Sequence, residues 1–170
     1  MMRKIILFIA SSLDGYIARE TGEIDWLPEN TTSGYDEFIK SIDTVIMGRK
    51  TYDQILTFGD YPYKVKKSYV FSRTNNNSKD ENIEFVHDAD KLVKSIISNS
   101  GTNIWLIGGA EIISIFLNLD FVDEIILSII PVVLGKGIPL FKDVEKKVKL
   151  ELIKTSNYDK LVELHYKVLK

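Results

Sequence analysis

The 170-residue sequence contains no cysteine, which excludes disulfides, thiolate metal sites and a cysteine nucleophile together. Histidine is scarce. His87 and His165 stand alone near expected strand ends, without the partner spacing of a zinc site, so no metal is expected. Long apolar runs are missing too. Stretches such as Ile5 to Ala10 reach six residues, against the roughly 20 that span a bilayer. No sign of charge dominates, with 22 basic and 24 acidic side chains and a net charge of −2. That balance argues against a nucleic-acid coat or a polybasic membrane surface. Neither G-x-G-x-x-G nor G-x-x-x-x-G-K-[ST] occurs, which speaks against a Rossmann dinucleotide site and a P-loop.

What remains is a globular composition, 45% apolar and 27% charged, with material for a sizeable core in a single domain over residues 1–170. The opening residues imitate a secretory signal, because Arg3 and Lys4 precede an apolar run ending in small residues. That run is shorter than the usual core of about 7–15 residues, and Leu13, Asp14 and Gly15 follow at once. A first buried strand in a cytoplasmic protein is the expectation, and the glycosylation-type triplets at Asn30 and Asn76 then carry no meaning.

Short runs rich in β-branched residues predict strands at 4–10, 43–47, 67–72, 83–86 and 103–107. Helical segments alternate with them. Asp88 can cap a helix whose apolar face is Leu92, Val93, Ile96 and Ile97, with Gly101 as its stop. Further helices are expected over 110–119, 50–56 and 35–41. The polar stretch Arg73 to Asn82 reads as a loop. After residue 120 only strands are expected, near 122–130, 148–156 and 160–168. Alternation of strand and helix implies parallel pairing, and an all-strand tail implies antiparallel additions to the same sheet. The fold class is therefore α/β, with a mixed, mainly parallel sheet between two helical layers.

Two segments repeat one device. In Val45-Ile-Met-Gly-Arg-Lys-Thr-Tyr52 a buried strand breaks at Gly48 and a helix begins. In Ile104-Trp-Leu-Ile-Gly-Gly-Ala-Glu-Ile112 the break falls at Gly108 and Gly109. Each places bare backbone N–H groups and the positive end of a helix dipole at one sheet edge, an arrangement suited to phosphate. Arg49 and Lys50 oppose the dipole unless an anion is bound, and Thr51 adds a hydroxyl. Arg73 repeats the theme at a third strand end. Glycine is also the default turn residue, so tight turns alone would account for each segment singly.

Ile9-Ala-Ser-Ser-Leu-Asp-Gly-Tyr-Ile-Ala18, Met47-Gly-Arg-Lys-Thr-Tyr52 and Ile107-Gly-Gly-Ala-Glu111 together resemble, in order and spacing, the dihydrofolate reductases. The Ser-Leu-Asp-Gly form is most similar to the branch containing the reductase domain of riboflavin biosynthesis, the RibD C-terminal-like group. The resemblance covers essentially the whole chain and implies a three-layer dihydrofolate-reductase-like fold. It implies an NADPH site in which Gly48, Arg49, Lys50 and Thr51 grip phosphates. Phe71, Ser72 and Arg73 would hold the adenosine-ribose phosphate. Ile107, Gly108, Gly109, Ala110 and Glu111 would lie under the pyrophosphate, with the Gly-Gly peptide cis, and Ala10 and Ile17 would flank the nicotinamide.

On the substrate side the resemblance implies a small heterocycle near Leu13, Trp26 and Ser128. A proton must reach the reduced bond, and Asp25, Glu29 and Asp14 are the candidate acids, with Asn30 beside Glu29. Each has a structural reading: Asp14-Gly15 as a turn, Asp25 as a helix cap, Trp26 as core, Glu29 and Asn30 as loop. Pyrimidine reductases carry an acid where this chain has Ile107, which weighs against the riboflavin step. The alternatives are 5-amino-6-(5-phosphoribosylamino)uracil reduction and a non-catalytic nucleotide-binding module. A homodimer is also implied by the resemblance.

Overall fold

The structure, a computed structural model, describes residues 2–29, 33–74 and 81–170. Its centre is an eight-stranded sheet built from β1 (Ile5–Ser12), β3 (Ile42–Gly48), β4 (Lys67–Phe71), β5 (Ile83–Val86), β6 (Asn103–Gly108), β7 (Glu124–Ile130), β9 (Lys149–Tyr158) and β10 (Leu161–Leu169). The spatial order is β5-β4-β3-β6-β1-β7-β10-β9. Strands β5 to β7 of that order pair in parallel, and β10 and β9 close the far side antiparallel. A small second sheet pairs β2 (Tyr16–Ala18) with β8 (Ile138–Pro139), too short to leave a sequence signal.

Both faces of the parallel region are covered, which is why its strands read as apolar runs without alternation. On one face Ile104 and Leu106 pack with α3 (Ala89–Ile96) and α4 (Ala110–Asn118). On the other, Trp105, Val45 and Met47 pack with α1 (Tyr35–Lys40), α2 (Arg49–Thr57), Tyr61 and Tyr63. Trp105 also donates its indole N–H to the Phe8 carbonyl at 2.9 Å, so its burial leaves no orphaned donor. Phe116 and Ile113 of α4 are fully buried, each contributing about 2 kcal/mol of apolar transfer.

Helix α3 starts as its sequence predicts. The Asp88 carboxylate accepts from the Lys91 N–H at 3.0 Å, and Leu92, Val93 and Ile96 are buried. At the end of the sheet opposite the glycine turns, the buried Arg3 guanidinium ties three elements. It donates to the Thr102 and Ile96 carbonyls, to the Asp43 carboxylate and to the Thr44 hydroxyl at 2.6 Å. Lys66 is likewise structural, donating to the carbonyls of Ile39 and Ile42 at 2.8 and 2.7 Å. Lys64 and Lys67 pair with Asp60 and Glu84, so these lysines form no free cationic patch.

The tail forms the expected strands. Glu163 and His165 share a face of β10 that reads as polar, yet α1 lies over that face and leaves both half-buried. His165 meets the Glu124 carboxylate at 2.8 Å, and Lys4 donates to the same carboxylate at 2.6 Å. Burial would raise the Glu124 carboxyl, but these hydrogen bonds hold it below its ordinary value.

Candidate active site

The two glycine turns meet. Met47 registers with Gly108 and Gly48 with Phe71, so the ends of β4, β3 and β6 stand side by side. Helix α2 begins at Gly48 and α4 at Gly109, and neither N-terminus is capped by a side chain. Their leading N–H groups thus open onto one edge of the sheet, which is a ready cradle for phosphate oxygens.

Glycine is required here for two separate reasons. Gly108 has φ of +117°, where a side chain is strained, and the Gly108–Gly109 peptide is cis. Gly48 has ordinary backbone angles, but a Cβ there would lie 3.1 Å from Ile112 Cγ1 and 3.8 Å from the Gly108 carbonyl oxygen. A Cβ at Gly109 would face the Thr51 hydroxyl at 3.6 Å. The bare edge therefore fits the phosphates of a dinucleotide.

The cations around this edge are partly engaged. Arg49 donates to Asp53 at 2.8 Å, one helical turn on, and its guanidinium lies 5.3 Å from the Phe85 ring centroid. That pairing relieves the charge at the α2 N-terminus. Lys50 and Arg73 are exposed. Ser72 follows β4, its N–H donating to the Val86 carbonyl and its hydroxyl lying 3.3 Å from that of Thr74. Glu111 is exposed in the first turn of α4, and Ile107 packs toward the Trp105 side of the sheet.

Ala10 and Ile17 are both half-buried near the end of β1, where Ile9 lies beside Gly108. Asp14 is fixed by its surroundings. The Ser12 hydroxyl donates to it at 2.7 Å, and the N–H groups of Leu134 and Gly135 donate at 3.1 and 2.8 Å. The Ser12 bond and those backbone bonds hold its carboxyl below the usual range, although partial desolvation opposes them. The loop it pins packs closely, since a Cβ on Gly137 would strike the Ala18 carbonyl oxygen at 2.3 Å.

Asp25 is exposed and takes a two-pronged bond from Arg19, at 2.6 and 3.0 Å. That bond holds its carboxyl below the ordinary value. Glu29 is exposed and is not without an interaction partner. Asn30 and Asn76 lie outside the described residues. The segment holding Trp26 is tied to α2 by Gln54, which donates to the Gly22 carbonyl at 2.7 Å. Trp26 has a buried indole N–H with no partner among the described residues. Leu13 is 66% exposed, and Ser128 is buried in β7 between Ala10 of β1 and Glu163 of β10.

Sequence reasoning passed over Glu163. It lines a cavity of about 270 Å³ between α1 and the tail strands, with Gly34, Phe38, Ser156 and Tyr158. Its Oε2 is buried without a partner among the described residues. Its place on the polar face of β10, with His165 and Lys167, gave no sign of that burial.

Residues 3–164 match the RibD C-terminal domain. The chain belongs to that family. It is 42% identical to the uncharacterized Bacillus subtilis protein YwjB over 171 aligned positions, covering 98% of both chains. A crystal structure of a candidate riboflavin-biosynthesis protein from Shewanella sp. PV-4 superposes with a TM-score of 0.87 at 30% identity over 100% of both chains. The dihydrofolate reductase of Enterococcus faecalis, complexed with NADP(H), shares the fold at a TM-score of 0.67 and 14% identity, with 100% of each chain covered. The RibD C-terminal family and the dihydrofolate-reductase-like architecture thus coincide in this chain. Among its described residues no helix is long and apolar enough to cross a membrane, and no cluster of metal-ligating side chains occurs.

Proposed function

We propose that the chain is an NADPH-dependent reductase of a small heterocycle of dihydrofolate, pterin or pyrimidine type, acting as a single cytoplasmic domain and a homodimer. The observation that carries this reading is the pair of uncapped helix N-termini, opened by Gly48 and by Gly108-Gly109 at adjacent strand ends. Those N–H groups, with Thr51, would take the phosphates. Arg49, exchanging Asp53 for phosphate, and Ser72 and Arg73 would take the adenosine-ribose phosphate, which favours NADPH over NADH. When bound, the cofactor supplies the hydride. The protein's part is to orient the ring over Ala10 and Ile17 and to exclude water, with Leu13, Trp26 and Ser128 on the substrate side. The proton would come from ordered water or a substrate-facing carboxyl.

The test is a titration with NADPH and NADH followed by tryptophan fluorescence. Micromolar NADPH binding, at least tenfold tighter than NADH, is expected on the strength of the extra charge-assisted bonds. Arg49→Ala should weaken NADPH about tenfold and NADH little. Absence of binding for both nucleotides would end the reductase reading.

A nucleotide-binding module without turnover is the second reading. It is favoured by the engagement of Asp14 and Asp25 with other groups. NADPH consumption with dihydrofolate or a pterin separates the two.

A further inference from the structure

We infer that Glu163 is the carboxylate that receives the N–H edge of the heterocycle. The substrate class comes from the reductase reading; the position comes from the sheet. Ala10, Ser128 and Glu163 register across β1, β7 and β10, so they form one row on one face of the sheet. Neighbouring strands lie about 4.8 Å apart, which places the Glu163 backbone roughly 10 Å from that of Ala10. A flat two-ring system is of that order of length, and would set one edge at the carboxylate and the reacting edge toward Ala10.

Three features set the Glu163 carboxyl apart. Oε2 is buried with no hydrogen bond among the described residues. Lys154 and His165 line the same cavity, yet neither makes an ion pair with it, and His165 is turned to Glu124 instead. Gly34 leaves space for it: a Cβ there would lie 2.8 Å from Glu163 Oε1 and 3.4 Å from the Tyr158 hydroxyl. The backbone at Gly34 has φ of −70°, which any residue adopts, so what glycine provides there is room beside the end of the Glu163 side chain, not conformation.

A buried carboxyl oxygen without a donor is costly, and a ligand supplying N–H groups would relieve that cost. The wall chemistry narrows the ligand. Phe38 and Ile126 offer a flat apolar surface, Ser156 and Tyr158 offer hydroxyls, and the carboxylate accepts at one end. This suits a planar ring whose ring N–H and adjacent amino group donate side by side, as in a 2-amino-4-oxo pyrimidine or pteridine.

Calorimetric titration with pterin and with lumazine, the same ring system with a carbonyl in place of the amino group, tests the assignment. The intact chain should bind pterin at least tenfold tighter than lumazine, because lumazine turns an acceptor toward the carboxylate. Glu163→Gln should weaken pterin about tenfold and erase the preference, since the amide can accept one N–H but points its own at the second. Its thermal midpoint should not fall. Gly34→Ala should weaken pterin severalfold by displacing the carboxylate. Equal pterin affinity for the intact chain and Glu163→Gln would overturn the assignment, as would no pterin binding by the intact chain. NADPH titration of the same samples keeps the two readings apart. Pterin preference without NADPH binding would leave Glu163 assigned and remove the reductase.

Discussion

At Asp14 one carboxylate collects a hydroxyl and two backbone N–H groups, and so joins the end of β1 to the loop before β8. Asp14→Asn keeps the size but weakens the acceptors, and should lower the thermal midpoint by a few degrees while leaving nucleotide affinity intact. The pH dependence has a definite sign. A carboxyl lowered by folding stabilises above its unfolded value, near pH 4, and that contribution is lost as the pH falls through the folded value. Asp14→Asn should therefore flatten the acid limb of a stability–pH curve below about pH 4, measured by chemical denaturation. Gly48→Ala tests the neighbouring edge. Its Cβ would press on Ile112 at 3.1 Å, costing roughly 1 kcal/mol and shifting the two turns apart. NADPH affinity should fall about tenfold, more than that loss of stability alone would bring.

Elements are held in register by a few polar ties beneath a continuous apolar core. Arg3 is the clearest. It links the segment before β1 to β3, to the loop before β6 and to the end of α3. Arg3→Met should cost roughly 3 kcal/mol, because the apolar stem is kept while Asp43 and two carbonyls lose their donor. A shift of the urea midpoint with unchanged slope would report it. Asp88→Ala, removing the α3 cap, should cost about 1 kcal/mol by the same measurement. The elements themselves were largely legible. Buried runs such as Val45–Met47 and Ile104–Leu106 announced strands, and Asp88 announced a helix. The β2–β8 pair was not, since a three-residue strand against a two-residue one carries no periodicity.

At the scale of the molecule, β9 ends the sheet as a long open edge with Leu150, Leu152 and Ile153 exposed. Such an edge invites pairing with a second strand. If the homodimer forms there, sedimentation of the intact chain should give twice the chain mass, and Leu152→Lys should return the monomer.

Local patterning sufficed for the eight strands of the main sheet, for the four helix starts to within a residue and for the glycine turns, because burial and turn chemistry act between residues close in the chain. Only the tertiary structure decided that the turns at Gly48 and Gly108 would meet, since strand order is set by crossovers and not by the strands' own residues. It also decided the fates of three acids that look alike in sequence. Asp14 was drawn to a loop and Asp25 to Arg19, whereas Glu163 was left facing a cavity beneath α1. Those fates depend on groups distant in sequence, such as Gly135 for Asp14 and Gly34 for Glu163, and an isolated carboxylate carries no mark of the neighbours that folding will bring to it.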